Sequence, residues 1–322
     1  MWSWTLRCLC GCLLILFAKN DPSFAQQLAA AGAVGEEIER LRSADPVERA
    51  KAAMELKQMG SRAEPAVAYL ISTLDDKTTL CWEKSFAGGA FICFGSYTSP
   101  AQESAAALAA IGKPAVRSLI GAVKDTRYRF HALSALGQIK DREAVPTLIE
   151  ALKDDDPNVR EKVATVLGEM PDPRALDSLL RASLDENPDV AYSALDALGN
   201  IRDSRAEAKV ISAAVDGTGS MRLRAIRIIG RKRISQGVEA CIRALHDTSP
   251  AIQLEAAWSL RSLRDTRAVE PLIDALSEQG ESIRNVYSGT LRDLTGKDLG
   301  SDPSAWKAWW DHNKASFVPR KD

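Results

Sequence analysis

The stretch Asp156-Pro157-Asn158-Val159-Arg160-Glu161-Lys162-Val163-Ala164-Thr165-Val166-Leu167-Gly168 decides how the rest of this chain is read. Its apolar residues Val159, Val163, Ala164 and Leu167 fall at 0, +4, +5 and +8, which is one face of a helix. A 31-residue step reproduces the pattern from Tyr128, Val159, Val190, Met221, Ile252 and Ile283. The six copies close at Gly137, Gly168, Gly199, Gly230, Arg261 and Arg292 without a single insertion.

A second amphipathic stretch follows each first one: Val145 to Leu152, Leu176 to Leu184, Val210 to Val215, Val238 to Leu245 and Val269 to Leu276. An acid then closes the unit, at Asp154, Asp185, Asp216, Asp247 and Glu278. Between the two stretches lies a short turn, as in Asp172-Pro173-Arg174-Ala175, Asp203-Ser204-Arg205-Ala206 and Asp265-Thr266-Arg267-Ala268. Pro157, Pro188 and Pro250 mark the junctions, where proline suits a first helical turn and not an interior. Each unit therefore reads as helix, turn, helix, linker. One such hairpin cannot bury its apolar face alone, whereas stacked copies can. Looser copies begin at Asp45-Pro46 and at Pro100, and Ile38 with Leu41 suggests a half-repeat that caps the start. The expectation is an all-α chain, an α-α superhelix of the armadillo/HEAT solenoid type, with about eight hairpins.

These residues carry a resemblance. Asp156-Pro157-Asn158-Val159-Arg160 with Leu167-Gly168, and Asp141-Arg142-Glu143-Ala144-Val145-Pro146 with Leu148 to Leu152, resemble HEAT repeats, specifically the short subset of phycobilin lyase-like proteins. The resemblance covers roughly residues 36 to 315. It is specific for architecture and nearly silent on activity, since such folds host unrelated functions. It also implies that the recurring Arg129, Arg160, Arg222 and Arg284, and the recurring Asp141, Asp172, Asp203 and Asp265, form structural ladders between neighbouring repeats.

The first 25 residues read as a secretory signal: Arg7, an apolar run from Cys8 to Ala18, then Ser23-Phe24-Ala25 with cleavage after Ala25. The run has 11 residues, too short for a spanning helix of about 20. The expected mature chain, residues 26–322, is exported to the periplasm or the cell exterior and has no stable membrane span. The 42 Lys+Arg and 43 Asp+Glu give a net charge of −1, and residues 26–322 alone carry −2. That balance excludes the overall basic field of a non-specific nucleic-acid binder. Cys81, Cys93 and Cys241 are the cysteines beyond the signal.

Three interruptions of the period are candidate functional sites, because insertions in a stack map to loops. The first is an insert at about 77–99, with the aromatics Trp82, Phe86, Phe91, Phe94 and Tyr97 and two β-rich runs around Gly88-Gly89. Export permits a Cys81–Cys93 disulfide, and a bridge closing these 13 residues contributes about 3 kcal/mol. The insert is either a stapled plug or a recognition element built on interface-type aromatics. The second is a candidate anion patch, Arg222, Arg224, Arg227, Arg231, Lys232 and Arg233, next to Ile234 where the turn otherwise has Asp. Neutralisation by acids elsewhere is the competing account. The third is a tail at about 302–315, where Asp302-Pro303 starts a helix with Trp306, Trp309 and Trp310 on one face, suited to capping an open core.

Catalytic constellations are missing from the sequence: His131, His246 and His312 are isolated, and neither H-E-x-x-H nor G-x-S-x-G nor a P-loop occurs. HEAT-repeat di-iron hydroxylases carry His-Glu pairs, which this chain lacks. His131 and His246 occupy polar helical positions and are expected at the surface, and Cys241 occupies a core position. No catalytic residue, cofactor, metal or small-molecule substrate is predicted. The expected function is a non-catalytic scaffold presenting a curved helical surface and the insert to a protein partner. The alternative, implied only by the resemblance, is a phycobilin lyase-like enzyme or chaperone acting on a protein-attached chromophore. A signal peptide opposes it, because phycobilin lyases act on cytosolic proteins.

Overall fold

The computed structural model describes residues 22–81, 84–87, 90–93, 97–277 and 280–317, with side chains described from residue 31 onward and outside 82–96. Most of the signal segment lies outside the described residues. The chain divides into two compact units, Met1–Ala151 and Leu152–Asp322.

In the first unit, α1 (Pro22–Leu41) and α2 (Pro46–Met59) precede a 3-10 turn and α3 (Val67–Ser72). After the insert come α4 (Pro100–Ile111), α5 (Val116–Val123), α6 (Arg129–Ile139) and α7 (Val145–Ala151). Helices α2 and α4 pack together through a core rich in alanine, with Ala50, Ala53 and Leu56 buried on one and Ala101, Ala105 and Leu108 on the other. The starts follow the sequence signals. Asp45 and Ser99 accept hydrogen bonds from Val47 N and Gln102 N, each ahead of a proline in the first turn.

The second unit repeats the arrangement in α8 (Pro157–Glu169), α9 (Leu176–Ala182), α10 (Pro188–Leu198), α11 (Ser204–Asp216), α12 (Gly219–Lys232), α13 (Val238–Ala244), α14 (Pro250–Leu263), α15 (Val269–Leu276), α16 (Glu281–Thr295) and α17 (Pro303–Asn313). First helices stack on first helices: α8 on α10, α10 on α12, α12 on α14 and α14 on α16. The core between them takes Leu195, Ile226, Ile229, Val238, Leu260, Leu272 and Leu291.

The Leu-Gly ending of the repeat has a packing cause. A Cβ on Gly199 would sit 2.4 Å from Ile228 Cγ2, and one on Gly230 would sit 2.6 Å from the Ser259 backbone Cα. A helix-interior glycine costs about 1 kcal/mol relative to alanine, and close approach of the next first helix offsets that cost. Ser259 uses this proximity, donating its hydroxyl to Ile226 O at 2.9 Å. The fold is thus an all-α solenoid of stacked hairpins, with strands confined, among the described residues, to the insert.

Candidate protein-interaction site

Two rows of charged side chains recur along the repeats, an arginine row that bridges repeat ends and an aspartate row that caps turns. In the arginine row, Arg49 pairs with Asp76 (Nε–Oδ2 2.7 Å), Arg160 with Asp185 (2.8 Å) and Arg222 with Asp247 (2.6 Å). Each also donates to carbonyls at the preceding junction: Ser43 O, Asp154 O and Gly217 O respectively. Arg129 reaches Val123 O in the same way. The second carboxylate oxygen of each acid accepts a backbone N–H two residues on, from Thr78, Asn187 and Ser249. One guanidinium therefore binds the end of one repeat to the end of the next. At the equivalent places Gln253 keeps the carbonyl bond, to Asp247 O at 2.7 Å, and Ala191 makes no side-chain bond.

The aspartate row differs from its expected role. Asp141, Asp172, Asp203 and Asp265 each accept the backbone N–H two residues on, from Glu143, Arg174, Arg205 and Arg267. They cap their own turns. Cross-repeat reach at that level comes from Arg205, which meets Asp177 at 2.9 Å, and from Arg267, which meets Glu239 at 3.3 Å.

The insert leaves and rejoins the stack at one point. Ala101 N donates to Asp76 O at 3.0 Å. Beyond that tie, β1 (Leu80–Cys81) pairs antiparallel with β4 (Tyr97–Thr98), and β2 (Lys84–Ala87) pairs with β3 (Ala90–Cys93), Phe86 standing opposite Phe91 in register. Leu80 and Thr98 are buried, and the Thr98 hydroxyl donates to Glu103 Oε1 at 2.7 Å. Tyr97 is 66% exposed. Trp82 and Phe94 lie outside the described residues, as do Gly88-Gly89 and the side chains of Phe86 and Phe91. Cys81 is disulfide-bonded, and the Cys93 side chain falls outside the described residues.

Of the six cations proposed as an anion patch, four meet acids: Arg222 the closing acid of its own repeat, and Arg224, Arg227 and Arg231 acids of neighbouring repeats. Arg222 pairs with Asp247, Arg224 with Asp196, Arg227 with Glu255 at 2.9 Å, and Arg231 with Asp196 at 3.8 Å. Arg224 also covers the Tyr192 ring at 5.1 Å. Lys232 and Arg233 make no ion pair among the described residues, and Arg233 takes the left-handed conformation (φ 53°) that ends α12.

In the tail, Asp302 accepts from Ser304 N at 2.9 Å and Pro303 opens α17. Trp306 and Trp310 are buried, and Trp306 Nε1 donates to Gly300 O at 2.8 Å. Trp309 meets Trp306 edge to face at 6.1 Å, and Phe317 closes the cluster.

His131 corrects its sequence-based expectation. It is buried, packed edge to face on Phe130 at 5.6 Å, because the adjacent aromatic covers a position that is polar in four of the five other copies. His246 and His312 are exposed. Cys241 is fully buried, and burial pushes its thiol up to about 12. Ellman's reagent should accordingly find no reactive thiol in native, non-reduced residues 26–322 and one after denaturation. A second thiol in denaturant would mean that Cys81 and Cys93 are not joined. No group of three potential metal ligands occurs among the described residues, and no single described helix is long and apolar enough to cross a membrane.

The family model for HEAT repeats matches residues 122–199 and 207–288. The chain is a HEAT-repeat protein. HEAT-repeat structures agree with it in fold. A structure of Kap95p bound to RanGDP superposes with a TM-score of 0.57 at 14% identity, covering 96% of this chain and 47% of that one. Importin beta in an ammonium sulfate condition gives 0.56 at 14% identity, covering 87% and 44%. This HEAT-repeat chain thus spans a little under half the length of those two. No curated protein sequence matches it. Trp258, half exposed on a first helix, was missed by sequence reasoning. The 31-residue step alone could have found it, since it stands where other copies carry Ser134, Thr165, Asp196 and Arg227.

Proposed function

We propose that this HEAT-repeat protein is a non-catalytic scaffold, exported through residues 1–25, that offers the insert at residues 77–99 to a protein partner. The carrying observation is that the insert starts and ends at adjacent points of the stack. With Asp76 O and Ala101 N only 3.0 Å apart, more than twenty residues are inserted between two adjacent points, and the described ones add no helix to the stack. Stacking does not require such a segment, and its five aromatics are of the types that anchor protein interfaces. A Cys81–Cys93 bridge rigidifies it and so lowers the ordering cost of binding.

The test removes residues 78–98, rejoins the ends through a short Gly-Ser linker and checks helicity by circular dichroism. The full chain and the deletion variant are then compared for the partner retained from the native cell envelope. The deletion should leave the helical signal intact and weaken that interaction by at least about thirtyfold, the loss of one or two aromatic anchors. Undiminished affinity removes the insert from the interface. A recovered chain that begins at Met1, not Gln26, removes the export.

A further inference from the structure

A second surface lies in the C-terminal unit, on the first-helix face of α12, α14 and α16. Trp258 is 47% exposed at its centre. Helical spacing sets Leu254 beside it on α14, and the 31-residue step puts Gly289 at the matching place on α16. A Cβ on Gly289 would meet no atom within 4 Å, so the surface next to the indole is open. Leu223, Leu254 and Val286 are partly exposed around it.

Arginines ring this apolar centre. Arg227 pairs with Glu255, Arg231 and Arg224 share Asp196, and Arg261 and Arg292 share Asp293, with Arg292 also 3.6 Å from Asp298. The guanidiniums of Arg227, Arg231, Arg261 and Arg292 are each more than half exposed, whereas Glu255, Asp196 and Asp293 are about a third exposed or less. Sharing leaves cations in excess, and α12 contributes no acid of its own. Solvent therefore meets mainly positive charge around an aromatic. Structural pairing accounts for the positions of the arginines but not for leaving the largest side chain of α14 in water. A packing role would bury Trp258, as it buries Trp306.

We infer that this face docks an acidic segment of a protein partner, with an apolar side chain of the segment seated between Trp258 and Gly289. The arginine rim steers and orients the segment, and the indole supplies the desolvated anchor. The surface shares no residue with the insert, so the two are tested by different variants.

The test pans a random peptide display library against the full chain and measures the enriched peptides by fluorescence anisotropy. Enriched sequences should be rich in Asp and Glu around an aromatic or leucine. Trp258→Ala should weaken them about thirtyfold and Trp258→Phe only severalfold. Arg231→Glu and added salt should each weaken them further, while deletion of residues 78–98 leaves them unchanged. Circular dichroism of each variant excludes misfolding. The inference is overturned by neutral or basic enriched peptides, by binding that survives Trp258→Ala, by loss on insert deletion, or by no enrichment. A dimer abolished by Trp258→Ala overturns it in favour of a second copy on this face.

Discussion

Trp306→Ala lowers the stability of the C-terminal repeats by about 3–5 kcal/mol, the cost of emptying the site of a fully buried tryptophan. Three losses combine. The indole leaves a cavity under α17, Gly300 O loses the Nε1–H bond it accepts at 2.8 Å, and Trp309 loses its edge-to-face neighbour. Because a repeat stack is coupled mainly between nearest neighbours, the damage begins locally. Hydrogen exchange should speed up first in α15 and α16 and last in α8 and α10, and the urea midpoint should fall. Trp306→Phe should cost less, since it refills most of the volume and loses only the hydrogen bond. A variant as stable as the parent would show that the tail does not close the core.

Asp185→Asn is expected to cost about 3 kcal/mol, the lower end of the range for breaking a buried pair from one side. Arg160 and Asp185 are each 12% exposed, and without the carboxylate the guanidinium keeps the carbonyls of Asp154 and Asp155 and at most one neutral amide oxygen, with no counter-charge in the pair. The pair also sets an acid limit. Hydrogen bonds from Arg160 hold the Asp185 carboxyl below the usual aspartate value, against the opposing push of burial. A carboxylate with a depressed folded value stabilises the fold fully above its unfolded value. That stabilisation is lost as pH falls through the folded value. Urea midpoints measured from about pH 7 down to about pH 2 should therefore stay level to near pH 5 and then drop, with a shallower drop in Asp185→Asn. Equal slopes in the two chains would refute the pairing as a source of acid sensitivity.

What could be read from the sequence follows from what the period encodes. Val159, Val163, Ala164 and Leu167 announce a buried helical face because their spacing alone fixes which side is apolar, and the structure buries all four. The arginine row was legible for the same reason, since a charge repeated at one register position stacks along the array. The aspartate row shows where that logic stops. A residue repeated every 31 positions can bond within its own turn or across to the next, and the spacing is identical in both cases. His131 failed differently: the register says which way a side chain leaves the helix, but not that Phe130 lies over it. Trp258 was hidden by averaging, one indole among the polar residues of its column. The insert was visible as a break in the period, and its aromatic content could be counted, but the tie between Asp76 and Ala101 required coordinates.

That tie has a consequence for how such a chain changes over generations. With entry and exit held together by the Asp76–Ala101 hydrogen bond and the β1–β4 pair, residues gained or lost beyond them leave the spacing of the flanking helices untouched. From Tyr128 onward the helical stack keeps a 31-residue step, and a residue gained or lost inside a repeat would break its packing register. The insert, by contrast, can lengthen, shorten or be replaced wholesale. Length changes in the insert and integrity of the framework are thereby physically uncoupled within one polypeptide.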